Sequence, residues 1–183
     1  MPDYRRPRVP GAAVFFTVAL AERGSRLLVE KVDLLREAVR LTRAERPFGV
    51  AAWVVLPDHL HCVWMLPEGD ADYSGRWGAI KGRFSKAVRE AGWTRSAWFT
   101  PPASHVGRNG GVNPALRHGK GEVGLWQRRF WEHHLRDEDA LAAAVRYCWI
   151  NPVKHGLVER PEDWPWSSWH RDGPEAGQGW TAP

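Results

Sequence analysis

Two short apolar runs, Gly49 to Leu56 and His59 to Leu66, are separated only by Pro57-Asp58. Both are rich in β-branched and aromatic residues. Pro47 precedes the first, and the turn cluster Pro67-Glu68-Gly69-Asp70 follows the second. Runs of this length and composition read as strands. So short a link folds them back on each other as an antiparallel hairpin, which commits the chain to a sheet. Successive strand residues point to opposite faces. His59, His61 and Val63 therefore share one face, and Leu60, Cys62 and Trp64 the other. Two imidazoles side by side can hold one metal ion. They can equally be strand histidines bonded to their neighbours, and the pair alone leaves both readings open.

The flanking segments follow the same logic. Val14 to Leu20 reads as a strand. Asp33 to Glu45 reads as a helix with Leu34, Leu35, Ala38, Val39 and Leu41 on its apolar side, stopped by Pro47. Ser74 to Ala91 reads as a helix whose stripe is Trp77, Ile80, Phe84 and Val88. Arg76, Lys81, Arg83, Lys86 and Arg89 would form its basic, exposed side. Leu125 to His134 mixes aromatic and basic residues. Asp137 caps a helix that runs to about Ile150 and closes at Asn151-Pro152, because a residue before proline is pushed out of the helical region. Trp164 to Trp169 is a last packed segment. The order strand, helix, hairpin, helix, later helix predicts an α+β fold, a mainly antiparallel sheet with helices packed on one face.

The chain of 183 residues suits a single domain. Residues 1–10 form a basic arm. Residues 93–124, broken by proline and glycine, read as a flexible insertion, and residues 172–183 as a loose tail. A net charge of +5 favours an anionic partner, most commonly nucleic acid. The 12 tryptophans can pack a core or stack on unpaired bases. Only two cysteines, Cys62 and Cys148, and no leader argue against a disulfide framework and for a cytoplasmic protein. No apolar run reaches the roughly 20 residues that span a bilayer.

A second chemical element lies far along the chain. Tyr147 and Asn151 are four residues apart and share a helix face. Placed above His59 and His61, they would add a third metal ligand and a nucleophile. A phenol attacks poorly at its free pKa of about 10, and a nearby cation favours its phenolate. A half-buried, hydrogen-bonded tyrosine is the plainer alternative.

Taken in order, the motifs carry more than any one of them. They are Val54-Val55-Leu56-Pro57-Asp58-His59-Leu60-His61; Trp126-Gln127-Arg128-Arg129-Phe130-Trp131-Glu132-His133; and Tyr147 followed by Asn151-Pro152-Val153-Lys154-His155-Gly156. Together they closely resemble the REP-associated tyrosine transposases, single-tyrosine members of the HUH endonuclease group. Tyr4-Arg5-Arg6, Phe15-Phe16-Thr17-Val18 and Trp164-Pro165-Trp166-Ser167-Ser168 fit the same pattern. The resemblance implies the HUH endonuclease fold, a ferredoxin-like or RRM-like antiparallel sheet with helices packed on it, and Mg²⁺ or Mn²⁺ bound by His59 and His61, with Asn151 completing the site where glutamine is common in the wider group. It implies attack by Tyr147 on single-stranded DNA beside REP-type hairpins, leaving a 5′-phosphotyrosine and a free 3′-OH. Arg5, Arg6, Arg76, Lys81, Arg83, Arg128, Arg129 and Lys154 are the expected DNA contacts. The resemblance leaves open whether the protein is a monomer or homodimer, and whether Tyr147 serves its own subunit. The insertion at 93–124 departs from the family pattern. Two other readings stand beside this one: a hairpin-binding protein that does not cut, and a zinc hydrolase. The latter lacks a familiar spacing such as His-Glu-x-x-His.

Overall fold

The structure, a computed structural model, describes residues 7–93 and 124–173. Arg5 and Arg6, the interior of the 93–124 segment and residues 174–183 lie outside the described residues. Four strands, β1 (Ala13–Ala19), β2 (Gly49–Val55), β3 (His59–Met65) and β4 (Trp131–Leu135), form one sheet in the order β2-β3-β1-β4. Every neighbouring pair is antiparallel. Between β1 and β2 lie α1 (Leu27–Glu30) and α2 (Val32–Glu45), and α3 (Tyr73–Glu90) leads from β3 toward β4. This is the β-α-β-β-α-β plan of a ferredoxin-like fold. After it come α4 (Glu138–Lys154), a short 3₁₀ turn at Pro161–Asp163 and α5 (Trp169–Asp172). The hairpin, both long helices before the insertion and the Asp137 cap follow the sequence reading. Asp137 accepts a 2.8 Å bond from the Ala140 amide.

Strand β4 was not foreseen. Its five residues alternate bulky and polar side chains only briefly, and its place is fixed by pairing with β1 over Ala13↔Leu135 to Thr17↔Trp131. The helices also do not share one face. Phe16 and Trp64 point to the side where α2 and α3 pack: Trp64 stacks on Trp77 at 4.4 Å and Phe16 meets Tyr73 at 5.4 Å. Phe15 and His61, on the opposite face, meet Tyr147 of α4. A sheet with large apolar side chains on both faces has to be covered on both. The stripe Trp77, Ile80, Phe84 and Val88 is fully buried, whereas Leu41 of α2 turns to solvent at 38% exposure.

Helix α4 does not stop at Ile150. It passes through Pro152 to Lys154. Pro152 forfeits one backbone bond near the helix end, and the last turn is held by bonds from the His155 amide to Asn151 O and the Gly156 amide to Val153 O. Gly156 takes φ +65°, the left-handed position that ends such helices. The outer edge of β2 is covered by the Trp164–Trp169 segment. Val55 donates to Trp166 O and Ser168 donates to Trp53 O, so the strand's open edge is closed. No helix of the described residues is long and apolar enough to cross a membrane. Cys62 and Cys148 are buried free thiols.

Candidate active site

The histidine face of β3 brings two imidazoles together with ring centroids 5.1 Å apart, both almost fully buried. Each is held by a partner at Nδ1. His59 Nδ1 lies 2.6 Å from Asp58 Oδ1, and His61 Nδ1 lies 2.9 Å from Thr17 Oγ1 on the adjoining strand. Thr17 is the cross-strand partner of His61, so the sheet register itself supplies that contact. With Nδ1 engaged on both rings, Nε2 is the open nitrogen of each. An outer partner that fixes ring and tautomer in this way is the usual support of a metal-binding histidine.

Asp58 is anchored in turn by the Gly24 amide at 2.9 Å and by Arg23 Nε at 3.2 Å. Burial pulls its carboxyl upward. The bond to His59, the Gly24 amide and the charge of Arg23 outweigh burial and hold it below its ordinary range. The His61 pKa is pushed well below its ordinary value, chiefly by burial and then by the neighbouring His59 and His155, with the Asn151 amide opposing. A ring kept neutral in this way offers a lone pair rather than a proton.

Helix α4 supplies the rest. The Tyr147 ring stands 5.4 Å from the His61 ring at 76°, and 5.7 Å from Phe15. It is 40% exposed, so one side of the phenol is open. Lys154 Nζ sits 4.7 Å from the same ring. Asn151, one helical turn on from Tyr147, is 1% exposed. Its amide is near enough to hydrogen-bond His61 and so to favour that ring's charged form, while its buried Oδ1 has no partner of good geometry. A buried carbonyl left unpaired is costly. A divalent cation between the two imidazoles would give this oxygen a partner, and two imidazoles with an amide oxygen form a donor set that could hold one. Among the described residues no three His, Cys, Asp or Glu side chains gather as a metal-binding group.

Four residues of the site were not singled out from the sequence. Asp58 reads there as a turn former, although its place directly before His59 is a usable signal. Thr17 and Phe15 join the site only through strand pairing. His155, just past α4, brings a third imidazole ring to 5.0 Å from His59. Its pKa is lowered by burial first and then by His59.

The expected DNA contacts divide. Lys154 lies against the Tyr147 ring, and Arg128 and Arg129 are exposed. Arg76 does not serve as an exposed contact. It is 2% exposed, grips Asp70 through Nη1 at 2.9 Å and Nη2 at 2.6 Å, and donates to the carbonyls of Arg46, Pro47 and Asp72. Lys81 donates to Gln127 O, and Arg83 bonds Thr42 and Glu45. Because α3 covers the far face of the sheet, none of these three faces Tyr147.

No family model matches the chain. It is similar over 172 residues to the REP-associated tyrosine transposase of Escherichia coli K12, at 40% identity, covering 94% of this chain and 85% of that protein. A putative REP-associated tyrosine transposase of Haemophilus influenzae is 37% identical over 172 residues, covering 94% and 88% of the two chains. Among solved structures, a REP-associated tyrosine transposase bound to a REP hairpin superposes with a TM-score of 0.74 at 37% identity, covering 100% of this chain and 93% of that one.

Proposed function

This chain belongs to the REP-associated tyrosine transposase family, and from that premise we propose that it cuts and rejoins single-stranded DNA beside REP-type hairpins. The observation that carries the reading is the position of Tyr147, ring to ring with His61 in its own chain and open to solvent on one side. The solved relative binds a REP hairpin, and the net charge of +5 suits the same class of ligand here.

In this mechanism Tyr147 Oη attacks the phosphorus of a phosphodiester. The bond from phosphorus to the 3′ oxygen breaks, and the phenolic proton is lost as that oxygen leaves as a 3′-OH. The product is a 5′-phosphotyrosine on the protein, and attack by a 3′-OH reverses the step without ATP. A divalent cation, Mg²⁺ or Mn²⁺, held by His59, His61 and Asn151 would polarise the phosphoryl oxygen and favour the phenolate. Asp58 and Thr17 hold the two imidazoles with Nε2 outward. Lys154 places positive charge beside the nucleophile, where the phosphodiester must lie. Closeness of Tyr147 to His61 within one chain supports attack in cis by a monomer.

The test is adduct formation. Full-length protein mixed with a labelled single-stranded hairpin and Mn²⁺ should yield a covalent protein–DNA species that resists denaturation. Tyr147→Phe should yield none while still binding the hairpin. An adduct formed by the Phe variant would remove Tyr147 from its role. Hairpin bound but left uncut by the wild-type protein would favour a pure binder.

A further inference from the structure

Among the described residues, the β4 edge of the sheet beside Tyr147 carries an exposed aromatic surface. Helix α4 lies mainly over β2 and β3, and Phe15 and Thr17 of β1 are buried, so the exposed part of that face is β4, at Trp131 and His133. There Trp131 is 40% exposed, unusual for so large an apolar ring. Its ring is parallel to that of His133 (5.8 Å, 6°), one strand repeat along β4. Phe15 joins this pair to the catalytic centre: it meets Trp131 at 5.7 Å and Tyr147 at 5.7 Å, and stacks on His61 at 5.5 Å. An aromatic path thus runs from the histidine pair to the sheet edge. Exposed Arg128 and Arg129 stand just before β4 and exposed Arg136 just after it. The acidic residue of the strand, Glu132, is buried on the other face. Aromatic rings on an open sheet face, bracketed by cations, are what unpaired bases stack on.

We propose that Trp131, backed by His133, is a stacking platform for an unpaired base of the DNA strand next to the phosphate that Tyr147 attacks. This rests on the strand-cleavage reading of the site and adds to it the means by which the single-stranded flank is held. Continuity with Phe15 and Tyr147, together with the arginines at both ends of β4, selects single-stranded DNA over a protein partner. The platform positions the strand and takes no part in bond making.

The experiment uses the full chain carrying Tyr147→Phe, without divalent metal, at one fixed salt concentration. Anisotropy is read on a labelled DNA hairpin with and without a short unpaired extension, placed on either side. Trp131→Ala should weaken binding of the extended hairpin about tenfold, the scale of one base–aromatic stack, and leave the bare hairpin unchanged. Trp131→Tyr should recover most of the loss. In protein with Trp131 intact, 2-aminopurine placed in the extension should lose fluorescence on binding. That arm stands even where the Ala variant is poorly folded. Equal loss on both hairpins, no loss on either, unquenched 2-aminopurine, or a change in self-association alone would overturn the proposal. Failure of the cleavage reading looks different: wild-type protein with Mn²⁺ would form no adduct while the Trp131 dependence persisted.

Discussion

Asp58 Oδ1 meets His59 Nδ1 at 2.6 Å, so the residue that turns the hairpin also decides which nitrogen of the first histidine is open. The Gly24 amide and Arg23 fix that carboxylate in turn. The same cluster therefore ties the loop after β1 to the site. Asp58→Ala should weaken Mn²⁺ binding by about 10- to 100-fold, the usual effect of losing an outer partner of a metal-bound histidine, read by isothermal titration calorimetry. Thr17→Val should cost less, since a neutral hydroxyl orients His61 more weakly than a carboxylate orients His59. Equal, unchanged affinities in both variants would show that the rings need no such support.

Asn151 combines burial with an unpaired oxygen, an arrangement that is unfavourable until a cation arrives. Asn151→Leu replaces it with an apolar side chain of similar size. The metal-free variant should melt at the wild-type temperature or a few degrees above it, consistent with about 1 kcal/mol or more recovered from the orphaned carbonyl. The rise in melting temperature that Mn²⁺ gives the wild type should disappear. A variant still stabilised by Mn²⁺ as strongly as the wild type would exclude Asn151 from the ligand set.

Arg76 is a structural cation. Arg76→Met should destabilise the protein by about 3 kcal/mol, because it leaves Asp70 and the carbonyls of Arg46 and Pro47 without their donor. Urea denaturation measures this. Well below the unfolding midpoint, hairpin affinity and its salt dependence should match the wild type. A phosphate contact would instead reduce the salt slope by about one.

What the sequence made legible was what short-range pattern controls. The hairpin, the stripe of α3 and the cap of α4 each depend on residues within a few positions of one another. Strand alternation put His59 and His61 on one face and helical spacing put Tyr147 and Asn151 on another, while only the family resemblance joined the two pairs into one site. Strand β4 stayed hidden because five residues carry little periodicity and its partner, β1, is more than a hundred positions away. Thr17 and Phe15 belong to the site only through the long-range pairing of β1 with β3. Arg76 misled because a basic residue on an amphipathic helix reads as solvated, whereas Asp70 and a ring of carbonyls draw it inward. Pro152 misled because a helix can lose one amide bond near its end when the following turn is capped by Gly156.

The histidines and carboxylates of the site and its surroundings whose pKa values shift all shift downward, which makes the acid response of the metal-free protein predictable. His61 and His155 have folded pKa values below the ordinary imidazole value, mainly through burial. The unfolded chain therefore binds their protons first, at about pH 6.5. The stability they contribute is complete above that pH and is lost as the pH falls from there toward their folded values. Asp70 is held at about 2 by its bonds to Arg76, against about 3.9 for a free aspartate. Its contribution is present above about pH 4 and lost between there and about pH 2. Asp70 is partly exposed, so solvent screening keeps that lower step small. Urea midpoints measured without metal should fall in two steps as the pH is lowered. His155→Gln should shrink the upper step, and Asp70→Asn should remove part of the lower one. Added Mn²⁺ should raise the midpoint at about pH 7.5, where imidazoles are neutral and can bind it. A single step confined below about pH 4, unchanged by His155→Gln, would mean that the imidazoles beside Tyr147 are not desolvated as described.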